Sequence, residues 1–275
     1  MTEAEKERAE GLAVAGLDEI LAYLDVRPTE DGFEGEAAPW FEGDYLFGGF
    51  VVGQALAVAA KGAAAPLRVH SMHGYFLRPV AASIPVSYTV TEVKSGRAFA
   101  TRRLCASQSG KPVFEMLYSI TGDADGYLYD LPSAAPFPAL DPTAAEPGLP
   151  PWEVCRIGPT EARADGTRES THRHWFRVDS LLPDDRVLHL GLLGVATDWT
   201  GVGGRPLNLV EDTTGMVSLD HAVWFHRPVR ADEWLSYDVQ ALVNAGGRGT
   251  LRGVMRDESG RVCVSVAQEM LLAVL

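Results

Sequence analysis

The stretch Met216-Val-Ser-Leu-Asp-His-Ala-Val-Trp-Phe-His-Arg-Pro228 has a counterpart earlier in the chain, His70-Ser-Met-His-Gly-Tyr-Phe-Leu-Arg-Pro79, and this repeat restricts the fold more than any other feature. Setting Arg78 on Arg227 (227 less 78, an offset of 149) puts Pro79 on Pro228, Phe76 on Phe225 and Tyr75 on Trp224. At the same offset the alternating run Ile84, Val86, Tyr88, Val90 meets Glu233, Leu235, Tyr237, Val239, and three of the four pairs agree in character. One inserted residue later, Ser109-Gly110-Lys111 meets Ser259-Gly260-Arg261. Strand period, turn and Arg-Pro pair recur in the same order, so the chain reads as two copies of one unit.

A chain of 275 residues, 46% hydrophobic and 22% charged, has enough apolar side chain to give each copy its own core. The net charge of -13 excludes nucleic acid or an anionic membrane as the main partner, because both demand concentrated Lys and Arg. Cys105, Cys155 and Cys263 are odd in number and far apart, which gives neither a disulfide framework nor zinc spacing. They read as reduced, mostly buried thiols, and no metal or cofactor is expected. The opening Met1-Thr-Glu-Ala-Glu-Lys-Glu-Arg8 is acidic where a secretory signal would be basic and then apolar, so a cytoplasmic protein without a membrane span is expected.

Leu12, Leu17, Ile20, Leu21 and Leu24 recur at helical spacing and predict an amphipathic helix over Glu3 to Leu24, followed by a short strand at Phe33 to Glu36. Phe47 to Lys61 is apolar nearly all round and predicts a helix buried on most sides. Four antiparallel strands are expected next, at Leu67–Phe76, Ile84–Lys94, Ala98–Ser107 and Pro112–Ile120. Seven of the 17 prolines fall between Leu131 and Pro151, a composition that favours neither a ladder nor a long helix. The second copy predicts strands at Trp152–Ile157 and Trp175–Val178, then a helix capped by Asp184 or Asp185 and running to Asp198. Four more strands follow, at Val217–Phe225, Trp234–Val243, Gly249–Arg256 and Val262–Leu272. Each unit is thus expected to be strand, long helix and four-strand meander. The boundaries drawn are a first unit over 1–125, a proline-rich linker over 126–151 and a second unit over 152–275.

With these phrases, Phe47-Gly-Gly, Val51-Val-Gly-Gln-Ala-Leu56, Val69 to Pro79, Gly110-Lys-Pro-Val113, Leu219 to Pro228 and Val266-Ala-Gln-Glu269, the chain resembles the TesB-type acyl-CoA thioesterase II family from about Leu12 to its end. The resemblance implies an α+β tandem (double) hotdog, in which each unit is a curved antiparallel sheet wrapped around a long helix. It also implies hydrolysis of fatty acyl-CoA to free fatty acid and CoA, by a water held between an Asp, a Thr or Ser, and a Gln of the C-terminal unit. Those roles fall on Asp198, Ser218 and Gln268. Ser218 stands where many members have Thr, and Phe50 where the family usually has Gln.

Thioester hydrolysis needs a base, donors that fix the water, and positive character where the carbonyl oxygen becomes an oxyanion. Asp198 follows Leu192, Leu193, Val195 and Ala196, so its carboxylate is expected to be partly desolvated. The oxyanion could meet backbone N–H groups at the start of the Phe47–Gly53 segment in the other unit, where glycines allow close approach. Gly48, Gly49, Gly53 and Gln54 are therefore candidate substrate contacts, and Arg97 and Arg248 are candidates for the CoA phosphates. At the repeat offsets Ser218 corresponds to Val69 and Gln268 to Tyr118, which leaves one site per chain.

Rival readings exist for the same residues. A histidine nucleophile or metal at His70, His73, His221 or His226 is weakened because His73 matches Ala222 and His221 matches Met72, so neither position is shared. An Asp220–His221 dyad is disfavoured because adjacent strand residues face opposite ways. A hotdog hydratase or dehydratase would want an Asp–His pair, and His189 lies too far back along the helix. A non-catalytic acyl-CoA-binding protein is the remaining class. Assembly into a homo-oligomer, a dimer or tetramer of chains, is expected from sheet edges left to pair.

Overall fold

Two helices that are apolar on nearly every side can be stable in water only if sheet and a second helix cover them, and this requirement organises the molecule. The computed structural model describes residues 16–37, 45–122, 126–130, 132, 139–147, 151–157, 171–202 and 214–274. Helix α1 spans Leu17–Leu24, α2 Gly48–Lys61 and α3 Arg186–Val202. In α2 every residue from Gly49 to Ala60 is buried. The helix expected over Phe47 to Lys61 is thus present within one residue at its start, and of the helix expected over Glu3 to Leu24 the part Leu17–Leu24 is helical, while residues 3–15 lie outside the described residues.

The strands of the first half are β1 (Arg27–Thr29), β2 (Gly32–Gly35), β3 (Arg68–Phe76), β4 (Val86–Ser95), β5 (Phe99–Gln108) and β6 (Lys111–Thr121). Those of the second are β7 (Glu146–Pro147), β8 (Trp152–Arg156), β9 (Thr171–Val178), β10 (Thr214–Ser218), β11 (Asp220–Phe225), β12 (Leu235–Ala245), β13 (Arg248–Arg256) and β14 (Val262–Val274). All join one antiparallel sheet in the order β1-β2-β4-β5-β6-β3-β11-β14-β13-β12-β9-β8-β7, with β10 also on β14. Both halves follow the hotdog plan, a curved sheet against a central helix, and the two are fused edge to edge.

Two expectations are corrected here. The strands after each helix do not form a four-strand meander, since β3 pairs with β6 and β11 with β14 rather than with the next strand in sequence. The connections 77–85 and 226–234 are too long for tight hairpins and carry Pro79, Pro85 and Pro228, which cannot donate to a ladder. Where the turns are short the meander does form: Ser109 and Gly110 have φ of 49° and 74°, and Gly246 and Gly247 have 59° and 74°, the left-handed pair that a two-residue hairpin needs. Secondly, the proline-rich stretch does add to the ladder. Glu146 and Pro147 pair with Val154 and Glu153 after a 3-10 turn at Pro142–Ala144, whose Asp141 carboxylate accepts the Thr143 N–H at 3.0 Å.

The seam of the two halves is β3 against β11, where His73 pairs with Ala222 and Met72 with Val223. His73 and Ala222 are also equivalent in the repeat, so the pseudo-two-fold axis relating the two copies passes between them. The edges expected to drive assembly are thereby used inside the chain. Among the described residues the two ends of the strand order, β1 and β7, have three and two residues, each with a proline.

Helices α2 and α3 lie antiparallel and in direct contact with each other. A Cβ on Gly53 would stand 2.8 Å from Gly191 O and 2.7 Å from Val195 Cγ2, and one on Gly194 would stand 3.0 Å from Gly53 Cα. At the far end Arg186, first in α3, donates to Leu67 O at 2.6 Å and to Ala63 O just past α2. Cys155 and Cys263 are buried, Cys105 is partly so, and none of the three forms a disulfide. Among the described residues no helix is long and apolar enough to cross a membrane.

Candidate active site

Asp185 starts α3 by accepting the Val187 N–H on its carboxylate at 2.8 Å. The helix then runs on to Val202, so Asp198 sits inside it, not at its end as the sequence suggested. Thr197 and Asp198 are both fully buried. A carboxylate near a helix C-terminus meets the negative end of the dipole, which makes compensation necessary. Antiparallel packing provides it by bringing the N-terminus of α2 alongside: a Cβ on Gly48 would lie 3.0 Å from Asp198 Oδ2, and one on Gly49 3.2 Å from Asp198 Cβ. Phe47, the residue at the N-cap, makes no side-chain cap there, and the first N–H groups of a helix have no acceptor within it.

The structure brings Asp198, Ser218 and Gln268 together. Gln268 Nε2 donates to Asp198 Oδ1 at 2.5 Å and to Ser218 Oγ at 2.7 Å, and Ser218 Oγ donates to the same carboxylate oxygen at 3.2 Å. Gln268 is buried and Ser218 partly so. The amide orientation follows from chemistry, because the nitrogen and not the oxygen must face a carboxylate. Two acceptors in this cluster, Asp198 Oδ2 and Gln268 Oε1, are buried and receive no hydrogen bond from a described residue.

A β-bulge makes the convergence possible. Val223 and Phe225 face the core and pair with Val266 and Val264, while Ser218 pairs with Met270. Ala222 pairs with Ala267, so three residues lie between Ser218 and Ala222 where two lie between Ala267 and Met270. The extra residue, at Leu219–Asp220, turns Ser218 to the same face as Val223. Backbone bonds hold the bulge: Phe76 N donates to Leu219 O and Leu219 N to Glu269 O, both at 2.9 Å, and Asp220 Oδ1 accepts the Glu269 N–H at 2.7 Å. The first half has the same bulge, between Val69 and Ser71 on β3, but presents buried Val69 and Tyr118 at the positions of Ser218 and Gln268.

Other candidates are placed differently. Gly53 packs against α3. Gln54 is a core staple: its Nε2 donates to Tyr23 O at 2.7 Å and Glu36 O at 2.8 Å, and its Oε1 accepts from Tyr88 at 2.6 Å, which leaves it no free group for a substrate. Arg97 lines a surface pocket of about 160 Å³ with Gly62 and Phe99, at the opposite end of α2 from Gly48. Arg248 pairs with Glu269 at 3.0 Å, on the face opposite to Gln268. Only Gly48 and Gly49 of this set adjoin Asp198. Sequence reasoning missed Phe76, whose ring carbons lie 3.1 Å from a Cβ built on Gly48, and Phe47, 2.6 Å from one on Gly49. No imidazole hydrogen-bonds Asp198 among the described residues; His189 Nδ1 instead accepts the Ala231 N–H at 3.1 Å.

Comparison with known proteins places this geometry in a family. Residues 37–121 match the acyl-CoA thioesterase N-terminal domain and residues 130–272 the acyl-CoA thioesterase C-terminal domain. The chain is 30% identical over 286 residues to human acyl-coenzyme A thioesterase 8, covering 93% of this chain and 89% of that protein. Among solved structures, acyl-CoA thioesterase II TesB2 from Mycobacterium marinum is 33% identical with a TM-score of 0.77, over 94% of this chain and 98% of that one. A TesB protein of Mycobacterium avium subs paratuberculosis is 29% identical with the same TM-score, over 94% and 100%. With two hotdog halves, both family domains matched and relatives aligned over most of its length, the chain belongs to the acyl-CoA thioesterase family, the thioester hydrolases of the TesB type.

Proposed function

We propose that this thioesterase hydrolyses fatty acyl-CoA with one water molecule held between Asp198 and Gln268, in a single site per chain. The observation that carries the reading is the pair of buried acceptors, Asp198 Oδ2 and Gln268 Oε1, beside a carboxylate whose other oxygen is already taken by Ser218 and Gln268. A water has two protons to give, one to each acceptor, and then directs a lone pair at the thioester carbon. As the water oxygen bonds to that carbon, Asp198 takes a proton and the carbonyl π pair moves to oxygen. The oxyanion is met by the N–H groups of Gly48 and Gly49 with the dipole of α2 behind them. Collapse of the tetrahedral intermediate breaks the carbon–sulfur bond, and the proton on Asp198 goes to the departing CoA sulfur.

Phe47 and Phe76, which adjoin those glycines, support an apolar acyl group as substrate. The units proposed are the first over 1–125 and the second over 152–275, each incomplete alone, since the base comes from one and the oxyanion donors from the other. A cytoplasmic homo-oligomer is part of the same proposal, formed through sheet faces because the free edges are so short. The test is release of free thiol from acyl-CoAs of graded chain length. Asp198→Asn is expected to lower kcat roughly 10²- to 10⁴-fold while the protein stays folded. Unchanged thiol release in that variant would remove Asp198 as the base.

A further inference from the structure

The reaction as proposed leaves unused a buried imidazole next to the site. His221 lies on β11, three residues past Ser218, and is fully buried. Its Nε2 is 2.9 Å from Thr197 Oγ1, and that hydroxyl is 2.7 Å from Gly194 O. A hydroxyl has one proton and a carbonyl has none, so Thr197 donates to Gly194 O and must accept from the imidazole. The proton of neutral His221 is therefore on Nε2. Burial holds this histidine below its usual pKa range, against the opposing pull of Asp198 and Asp220, which keeps it neutral at pH 7. Tyr237 grips the same residue from another strand, its hydroxyl donating to Thr197 O at 3.3 Å.

Thr197 immediately precedes Asp198, and the strand segment that carries His221 also carries Ser218. Because of the bulge at Leu219–Asp220 both side chains reach the inner face, one to Thr197 and one to Asp198 Oδ1. The spacing of α3 from this strand thus sets how the carboxylate meets Ser218 and Gln268, and the His221–Thr197 bond fixes that spacing one residue from the carboxylate. A misplacement of about 1 Å in such a constellation costs on the order of 10²-fold in rate.

We infer that His221 is a positioning residue for the hydrolysis, acting through an Nε2–H donated to Thr197 that sets the direction of the Asp198 carboxylate. The inference rests on Asp198 being the base. A glutamine at 221 places an N–H donor where Nε2 now is, whereas an asparagine places one only at the Nδ1 position, and both are polar and smaller than histidine. His221→Gln is expected to keep kcat within about threefold, and His221→Asn to lose roughly ten- to hundredfold with KM nearly unchanged. Wild-type protein labelled at histidine nitrogen should show the neutral Nε2–H tautomer for His221 at pH 7, a readout that packing alone does not dictate and that needs no variant to fold.

Equal loss in both variants, no loss in His221→Asn, or an Nδ1–H or charged imidazole in the wild type would each overturn the inference. Asp198→Asn is assayed alongside. If it is inactive while His221→Asn is fully active, the positioning role alone fails; if it is active, the catalytic reading fails and the positioning role with it.

Discussion

Asp198, Ser218 and Gln268 come from positions 20, 50 and 70 residues apart and meet around a single carboxylate oxygen. Ser218 both accepts from Gln268 and donates to Asp198, so Ser218→Ala should leave one N–H of the Gln268 amide without its acceptor and lower kcat about tenfold, whereas Ser218→Thr should stay within about threefold; steady-state thiol release decides this. His221 adds a pH effect on stability. Its pKa is lowered in the folded state mainly by burial, so the unfolded chain binds the proton more readily. The stability it contributes is present above about pH 6.5, the unfolded value, and is lost as pH falls toward the folded one. Urea unfolding between pH 7.5 and 5 should therefore show a steeper decline for wild type than for His221→Gln. The roles of the trio were legible only through family phrases. Ser218 on the inner face together with Val223, five positions on, already required an odd insertion between them, and that parity was the available signal for the bulge.

At the scale of elements, the contact between α2 and α3 decides where the site can be. Gly53→Ala would push a methyl against the backbone oxygen of Gly191, which cannot rotate away, and should lower stability by about 1–3 kcal/mol in thermal unfolding. Gln54→Leu separates packing from chemistry. It removes the partners of Tyr23 O, Glu36 O and Tyr88 in the core, and a cost of about 3 kcal/mol is expected with kcat nearly unchanged. A rate loss as large as that of Asp198→Asn would return Gln54 to the substrate. The helices and most strands were readable because each carries a strong period or a nearly unbroken apolar run, as in Gly49 to Ala60. The placement of β3 beside β6, by contrast, depends on long connections whose path no local pattern specifies.

The whole molecule is a pseudo-dimer in one chain, with the axis between His73 and Ala222, and the proposed site lies in the second half, where the first has Val69 and Tyr118 at the matching positions. Titration of active sites should accordingly count one per chain, and Asp198→Ala should abolish thiol release at every acyl chain length. A residual activity removed by substitutions at Val69 or Tyr118 would mean that the first half also works. Separating the halves should cost activity even where each folds, because Gly48 and Gly49 belong to one half and Asp198 to the other.

By itself the sequence determined the duplication, most elements of each copy and, through shared phrases, the chemistry, because period and motif are local properties that survive without coordinates. Tertiary structure alone decided that Gln54 is spent in the core, that Arg97 and Arg248 stand away from the carboxylate, and that β3 lies beside β6 and β11 beside β14. Those outcomes depend on which groups find partners across the fold, and a partner tens of residues away leaves no mark on the neighbouring sequence.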